Sequence, residues 1–346
     1  LNAKVNYKFN DKSRLFLSAY YGKDAFGVPG LVRFNWGNLG LTGRWNYLIN
    51  DKLFLNVSSI YSDYDYAIGF DFPTAKIDNV AYINNQSNKV AFSWFPNAKH
   101  QVNFGAEATV YDFEPFSVRA DFIDSAIADI SIELQNEYAV EPSFYIEDNW
   151  KINDRLTVRG GLRYSSFYNI GARDVVNYNP TSAGTYRNER IIDTTSYSSG
   201  DIISAFEGLQ GLEPRLAINY RSSENSSVKL SYNRMRQYIH LISNTTSSLP
   251  IDTWRPAGQY IKPGTADQVA IGVNRNFKNG EWQLSLETYY KSMRDLVDYK
   301  NGAQPTGTDN IEVDLMTGRG RSYGLEVQLD KKVGALTGWI AYTFSR

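Results

Sequence analysis

The sequence predicts an all-β fold, a transmembrane antiparallel β-barrel with about 14 strands present, and three observations predict it. Apolar and polar residues alternate with period two along most of the chain. Short polar turns alternate strictly with long connections. Aromatic side chains collect at both ends of the outward faces. The alternating runs are about 9–13 residues long, beyond the ~5–6 residues usual in globular proteins and close to the ~9–11 that a tilted strand needs to cross a bilayer.

From the start of the chain, Ala3, Val5, Tyr7 and Phe9 form one face and Asn2, Lys4, Asn6 and Lys8 the other. The same alternation fills 101–111, with Val102, Phe104, Ala106, Ala108 and Val110 apolar, then 156–168 from Leu156 to Tyr164, then 282–290 with Trp282, Leu284 and Leu286. Short turns rich in Asn, Asp or Gly fall at 10–13, 50–52, 97–100, 153–155, 222–225, 278–281 and 332–335; such residues favour tight reversals. Long connections, read as irregular, lie between them at 23–35, 65–86, 113–137, 169–209, 243–262 and 301–319. Seven turns, each joining two strands, give a fourteen-strand meander.

Outer-membrane barrels have this layout: short turns on the periplasmic side, long loops outside, apolar residues toward lipid and polar ones toward the lumen. Closure is required because hydrocarbon cannot satisfy free backbone groups. Phe9, Tyr47, Trp94, Trp150 and Trp282 sit beside short turns as a lower aromatic girdle, and Tyr21, Tyr61, Tyr168 and Tyr290 form the upper one. Asp148 and Arg234 break the pattern on the lipid face. A propeller, the soluble alternative, has shorter strands and a blade period of about 40–50 residues that this chain lacks.

Both ends of the meander fall on the outer side, whereas a complete barrel keeps its termini in the periplasm. The expectation is therefore that at least one strand is missing from each end and that residues 1–346 are an internal piece of a barrel of sixteen or more strands. The chain opens on Leu1 rather than Met, with no signal peptide in view.

Composition narrows the function classes. With 36 Lys+Arg against 37 Asp+Glu, the net charge is −1, so no concentrated basic field for nucleic acid exists and no nucleic-acid partner is expected. No Cys is present, which excludes disulfides, thiolate metal sites and a cysteine nucleophile. No run of about 18 apolar residues forms a membrane helix. Aromatics are abundant: 25 Tyr, 18 Phe and 7 Trp. A negative mean hydropathy reflects a wet lumen and polar loops. No enzyme and no cofactor are expected: only His100 and His240 are available for a catalytic triad. Asp121, Asp124 and Asp129 match no calcium loop, and Gly318-Arg319-Gly320 does not precede a helix as a phosphate loop would. The sequons at Asn85 and Asn244 are chance matches in a bacterial barrel.

Several stretches resemble the barrel of TonB-dependent outer-membrane receptors of the Bacteroidetes type. They are 238–244 (YIHLISN), 249–254 (LPIDTW), 261–263 (IKP), 266–272 (ADQVAIG), 286–291 (LETYYK), 296–302 (LVDYKNG), and 144–157 (FYIEDNWKINDRLT) leading to 161–164 (GLRY). The resemblance spans about 138–345; these motifs build strands and say little about ligand. It implies a barrel of about 22 strands with a plugged lumen, the architecture of large outer-membrane transporters. Its further implication is a plug, absent from 1–346, that would contact the energy-transducing TonB complex. On that reading 1–346 is the barrel domain, with the N-terminal plug and the C-terminal strands absent, located in the cell outer membrane and in contact with its lipid.

Two groups of candidate residues follow. Glu107, Glu147, Lys151, Arg159, Arg163, Lys229, Glu287, Lys291 and Glu326 project inward by parity and are candidates to line a solute path or contact a plug. Tyr178, Tyr186, Arg187, Arg190 and Asp193, in the connection of about forty residues at 169–209, and Trp254, Arg255 and Tyr260 in that at 243–262, are candidates for ligand contact. Function concentrates in long loops on a rigid scaffold; aromatics stack on sugar or catecholate rings, and Arg pairs with carboxylates. The leading expectation is uptake of a scarce small solute, such as an iron-siderophore, a cobalamin-like cofactor or an oligosaccharide. The alternatives are a passive porin-like or fatty-acid channel, in which fourteen strands close by themselves, and a non-transporting surface β-protein.

Overall fold

Short asparagine turns organise the chain in the computed structural model, which describes residues 1–123, 128–180, 186–203, 209–243, 253–303 and 310–346. In four of the turns an Asn side chain accepts the backbone N–H two residues on: Asn10 from Lys12 (2.9 Å), Asn50 from Lys52 (2.9 Å), Asn97 from Lys99 (2.8 Å) and Asn153 from Arg155 (2.9 Å). The side chain thereby mimics a backbone turn and fixes the reversal.

Strands β1 (Asn2–Asn10), β2 (Ser13–Val28), β3 (Val32–Asn50), β4 (Leu53–Phe72), β5 (Ala75–Asn97) and β6 (His100–Phe122) form the first part of the sheet. After the short β7 (Ile130–Glu133) come β8 (Glu137–Lys151), β9 (Leu156–Ser166), β10 (Tyr168–Ile170), β11 (Arg173–Tyr178) and β12 (Ile191–Tyr197). The chain continues through β13 (Gln210–Ser223), β14 (Ser226–Gln237), β15 (Ile239–Ile242), β16 (Thr253–Pro256), β17 (Gly264–Phe277), β18 (Trp282–Tyr299), β19 (Leu315–Lys331) and β20 (Gly338–Ser345). Fourteen of them form one antiparallel path, β1-β2-β3-β4-β5-β6-β8-β9-β13-β14-β17-β18-β19-β20, with β7 and β10 as side branches. The fourteen-strand, seven-turn expectation is met. Among the described residues β1 pairs only with β2 and β20 only with β19, so the sheet is an unclosed part of a larger barrel; the fourteen strands do not close on themselves.

Two connections read as long and irregular are not. The strands on either side of 23–35 and 65–86 run on to tight tips, giving strands of 16, 19, 20 and 23 residues in β2 to β5. At the first tip Leu31 N donates to Val28 O at 3.0 Å and Gly30 has φ 73°, the type II arrangement that Pro29-Gly30 favours. Period two had in fact continued: Tyr64, Tyr66, Ile68, Phe70 and Phe72 alternate with Asp63, Asp65, Ala67, Gly69 and Asp71. The connections 169–209 and 243–262 also carry structure, as hairpins β11–β12 and β15–β16.

One face of the sheet is apolar and unburied: Phe144 is 59% and Ile146 56% exposed, with Trp94, Trp150 and Leu162 alike. Such a surface has the character of the outward side of a barrel wall. Asp148, the anomaly on that face, accepts from His100 Nδ1 at 2.7 Å, next to the Trp150 ring that stacks on His100. Its place is the lower interfacial belt. The buried side chains instead gather where the long connections fold over the opposite face. Ala139, Phe167, Leu209, Tyr238 and Ala257 make one cluster, Ile242, Ile261, Ile311 and Leu315 a second, and Tyr66, Ile68 and Ala81 a third.

Candidate functional site

Cross-strand register decides where the inward candidates lie. Partners in register share a face, and Glu107 pairs with Ser143, Arg163 with Glu213, Lys229 with Gly272 and Glu287 with Glu326. Followed strand by strand, all nine candidates, Glu107, Glu147, Lys151, Arg159, Arg163, Lys229, Glu287, Lys291 and Glu326, occupy the face opposite Phe144 and Trp150. Several pair: Arg159 with Glu147 at 2.7 Å, Glu107 with Lys89 at 3.5 Å, and Arg163 with Glu141 at 3.4 Å and Glu213 at 3.8 Å. Arg159, Lys229 and Glu287 line one crevice.

Above this wall the connections build an enclosed polar site. Glu137, the first residue of β8, lies thirteen positions above Trp150, about 33 Å along a strand rising 3.3 Å per residue at a 40° tilt. It is therefore above an apolar band of about 25 Å. The Glu137 carboxylate receives Arg173 Nη1 at 2.9 Å and the Arg255 guanidinium. Burial would raise its pKa, but the two guanidiniums outweigh burial and hold it below the ordinary carboxylate range. These groups share a cavity of about 70 Å³ with Gln135, Gln259, Tyr260, Asn310 and Glu312. Burial raises the Glu312 pKa, partly offset by the attraction of Arg255 and Arg173. The Arg173 Nε and Gln259 Oε1 atoms are buried without a protein partner among the described residues, and such atoms are costly to leave unmet.

Three of the loop candidates come together beside this cavity. Tyr178 and Tyr260 rings meet edge to face at 5.3 Å, and Tyr186 lies 4.4 Å from Tyr260 between centroids. Tyr260 is pinned to β11: its hydroxyl donates to Val176 O at 3.0 Å and accepts from Tyr178 N at 3.2 Å. Asn169 Nδ2 donates to Ala257 O at 2.8 Å, tying the two connections again. Arg255 belongs to the site through Glu137. The other candidates do not. Trp254 lies in a separate crevice with Tyr66 and Phe113, Arg190 Nη1 donates to Pro180 O at 2.7 Å, Asp193 accepts from Asn177 at 2.6 Å, and Arg187 is exposed. Sequence reasoning missed Glu137, Arg173, Gln135 and Glu312.

The weaker motifs resolve into structure. Asp121 pairs with Arg119 at 2.9 Å and Asp129 accepts Phe122 N at 3.1 Å; Asp124 and the Asn244 sequon lie outside the described residues. Asn85 sits within β5. His240, on β15, is buried, and burial lowers its pKa.

An antiparallel meander with one exposed apolar surface, aromatic belts at two levels and long connections folded over the other surface defines the wall of an outer-membrane β-barrel. The chain belongs to the family described as TonB dependent receptor-like, beta-barrel, whose model matches residues 2–346. That family consists of outer-membrane receptors and transporters. No curated protein matches the sequence. Among solved structures, the copper transporter OprC is similar with a TM-score of 0.67, 12% identity, and coverage of 100% of this chain and 52% of that one. The FrpB iron transporter from Neisseria meningitidis gives a TM-score of 0.65 and 14% identity over 99% of this chain and 50% of that one. The ferric yersiniabactin uptake receptor FyuA from Yersinia pestis gives 0.62 and 12% over 100% and 51%. The chain thus spans about half the length of these structures, and the likeness is one of fold.

Proposed function

We propose that residues 1–346 form the barrel domain of a receptor for TonB-dependent uptake of a scarce small solute across the outer membrane. An iron-siderophore, a cobalamin-like cofactor and an oligosaccharide are the classes that fit. The observation that carries this reading is the convergence of Arg173, Arg255 and Tyr260, drawn from separate long connections, around one polar cavity on the inward side, with the Tyr178 and Tyr186 rings packed against Tyr260. Guanidiniums there suit carboxylate or catecholate oxygens, and the rings suit a planar or sugar face. Further strands between β20 and β1 and a plug inside the barrel complete the proposed protein. Its TonB contact runs through that plug, and the nine inward charges line the path or the plug surface. The motifs at 238–244, 266–272, 286–291 and 296–302 support the Bacteroidetes type within the family.

The test is growth of a deletion strain on single iron or carbon sources, with the gene restored in native or variant form. Loss of growth on one source, restored by the native receptor but not by Tyr178→Ala/Tyr260→Ala, is the expected result. Growth on every source without the gene would overturn the uptake reading. Uptake that persists without TonB would favour the passive channel.

A further inference from the structure

Arg234 breaks the apolar pattern of the lipid-facing surface, and register shows that it does not stand alone. Across four neighbouring strands Arg234 pairs with Asp267, Asp267 with Ser292 and Ser292 with Arg321, so these four share one outward row. The next row down is Tyr232, Val269, Tyr290 and Tyr323, an aromatic belt; the next row up adds Arg294 beside Arg319. Ser292 is ten positions along β18 from Trp282 in the lower belt. At 3.3 Å per residue and a tilt of about 40° this is about 25 Å, the height of the apolar band. The charged rows therefore begin at the level of the outer-leaflet headgroups.

Charge on these rows is unbalanced. Asp267 is shared between Arg234 at 2.7 Å and Arg294 at 2.9 Å, and Tyr232 donates its hydroxyl to the same carboxylate at 2.7 Å. Arg319 and Arg321 are exposed and have no carboxylate partner among the described residues. Arginine forks presented side by side bind phosphate oxygens bidentately, and Tyr290, 51% exposed just below, offers a surface for acyl chains. The opposite wall carries the reverse sign at the same height. Asp63, Asn84 and Asp112 form its row, ten positions above Leu53 and Val102, with Asp65 and Glu114 one row higher.

We infer that the outward face of β14, β17, β18 and β19 is a binding surface for a phosphorylated lipid headgroup of the outer leaflet, held by Arg294, Arg319 and Arg321 over the Tyr290 belt. Asp267 orients Arg234 and Arg294. The inference rests on the outer-membrane placement and is independent of the uptake reading.

The full receptor, purified and placed in phosphatidylcholine nanodiscs doped with a bis-phosphorylated glucosamine lipid, tests it by native mass spectrometry. At least one phosphorylated lipid should remain on the native protein, and the dephosphorylated lipid should not. Arg319→Gln/Arg321→Gln removes two exposed, unpaired cations and should weaken retention about 30-fold while thermal unfolding is unchanged. Asp63→Asn/Asp112→Asn should leave retention at the native level. Equal retention of both lipids, no effect of the arginine variant, or displacement of the lipid by millimolar inorganic phosphate alone would overturn the proposal.

Discussion

The same kind of ion pair occurs in two storeys of this molecule and means different things in each. Within the band, Arg159 meets Glu147 at 2.7 Å with 59% of the arginine side chain exposed. Above it, Arg255 meets Glu137 with 4% and 5% exposed. Water screens the first pair, and its contribution is about 0–1 kcal/mol. The second is desolvated, so removing one partner strands a buried charge at a cost of about 3–5 kcal/mol. Position relative to water, rather than distance, separates a wall from a site.

The comparison can be broken or sharpened by experiment. Arg255→Met should have the largest effect, loosening the folded connections by about 3–5 kcal/mol, read as faster hydrogen exchange in β11, β12 and β16 and as loss of uptake. Tyr260→Phe keeps the ring but deletes the bonds to Val176 O and Tyr178 N; about 1–3 kcal/mol of local stability should go, visible in exchange at 176–178.

Acidification gives a smaller, graded effect. His240 has a folded pKa below its unfolded value of about 6.5 because burial disfavours the charged ring. Its neutral form therefore contributes stability fully present above the unfolded pKa and lost as pH falls through the depressed folded one. Protection factors at 238–242, corrected for the intrinsic pH dependence of exchange, should fall below pH 6, and His240→Asn should flatten that dependence. Arg159→Ala should cost least, about 0–1 kcal/mol of thermal stability. A loss there equal to that of Arg255→Met would erase the distinction between the storeys.

The wall was legible because period two and asparagine turns are local signals. Parity alone put Glu107, Arg163 and Lys291 on the face opposite Phe144 and Trp150, where the register also has them. The upper parts of β2 to β5 were misread because Asp63, Asp65, Gly69 and Asp71 look like loop composition, although Pro29-Gly30 marked a hairpin tip. The site was half legible. Tyr178, Tyr186, Tyr260 and Arg255 stood out by type, but Glu137 lies 118 residues from its partner Arg255, and no local pattern links them. Trp254 and Arg255 are adjacent yet enter different cavities, a separation fixed by the pleat of β16 once its packing is known.

The uneven height of the sheet has a geometric consequence. β5 and β6 are 23 residues long against 11 in β9 and 12 in β14, so one side of the rim stands as a palisade about 30 Å above the bilayer. Whatever approaches from the medium meets that fence first. Antibodies, phages and proteases would find their exposed handles at the hairpin tips near 29–31 and 73–74.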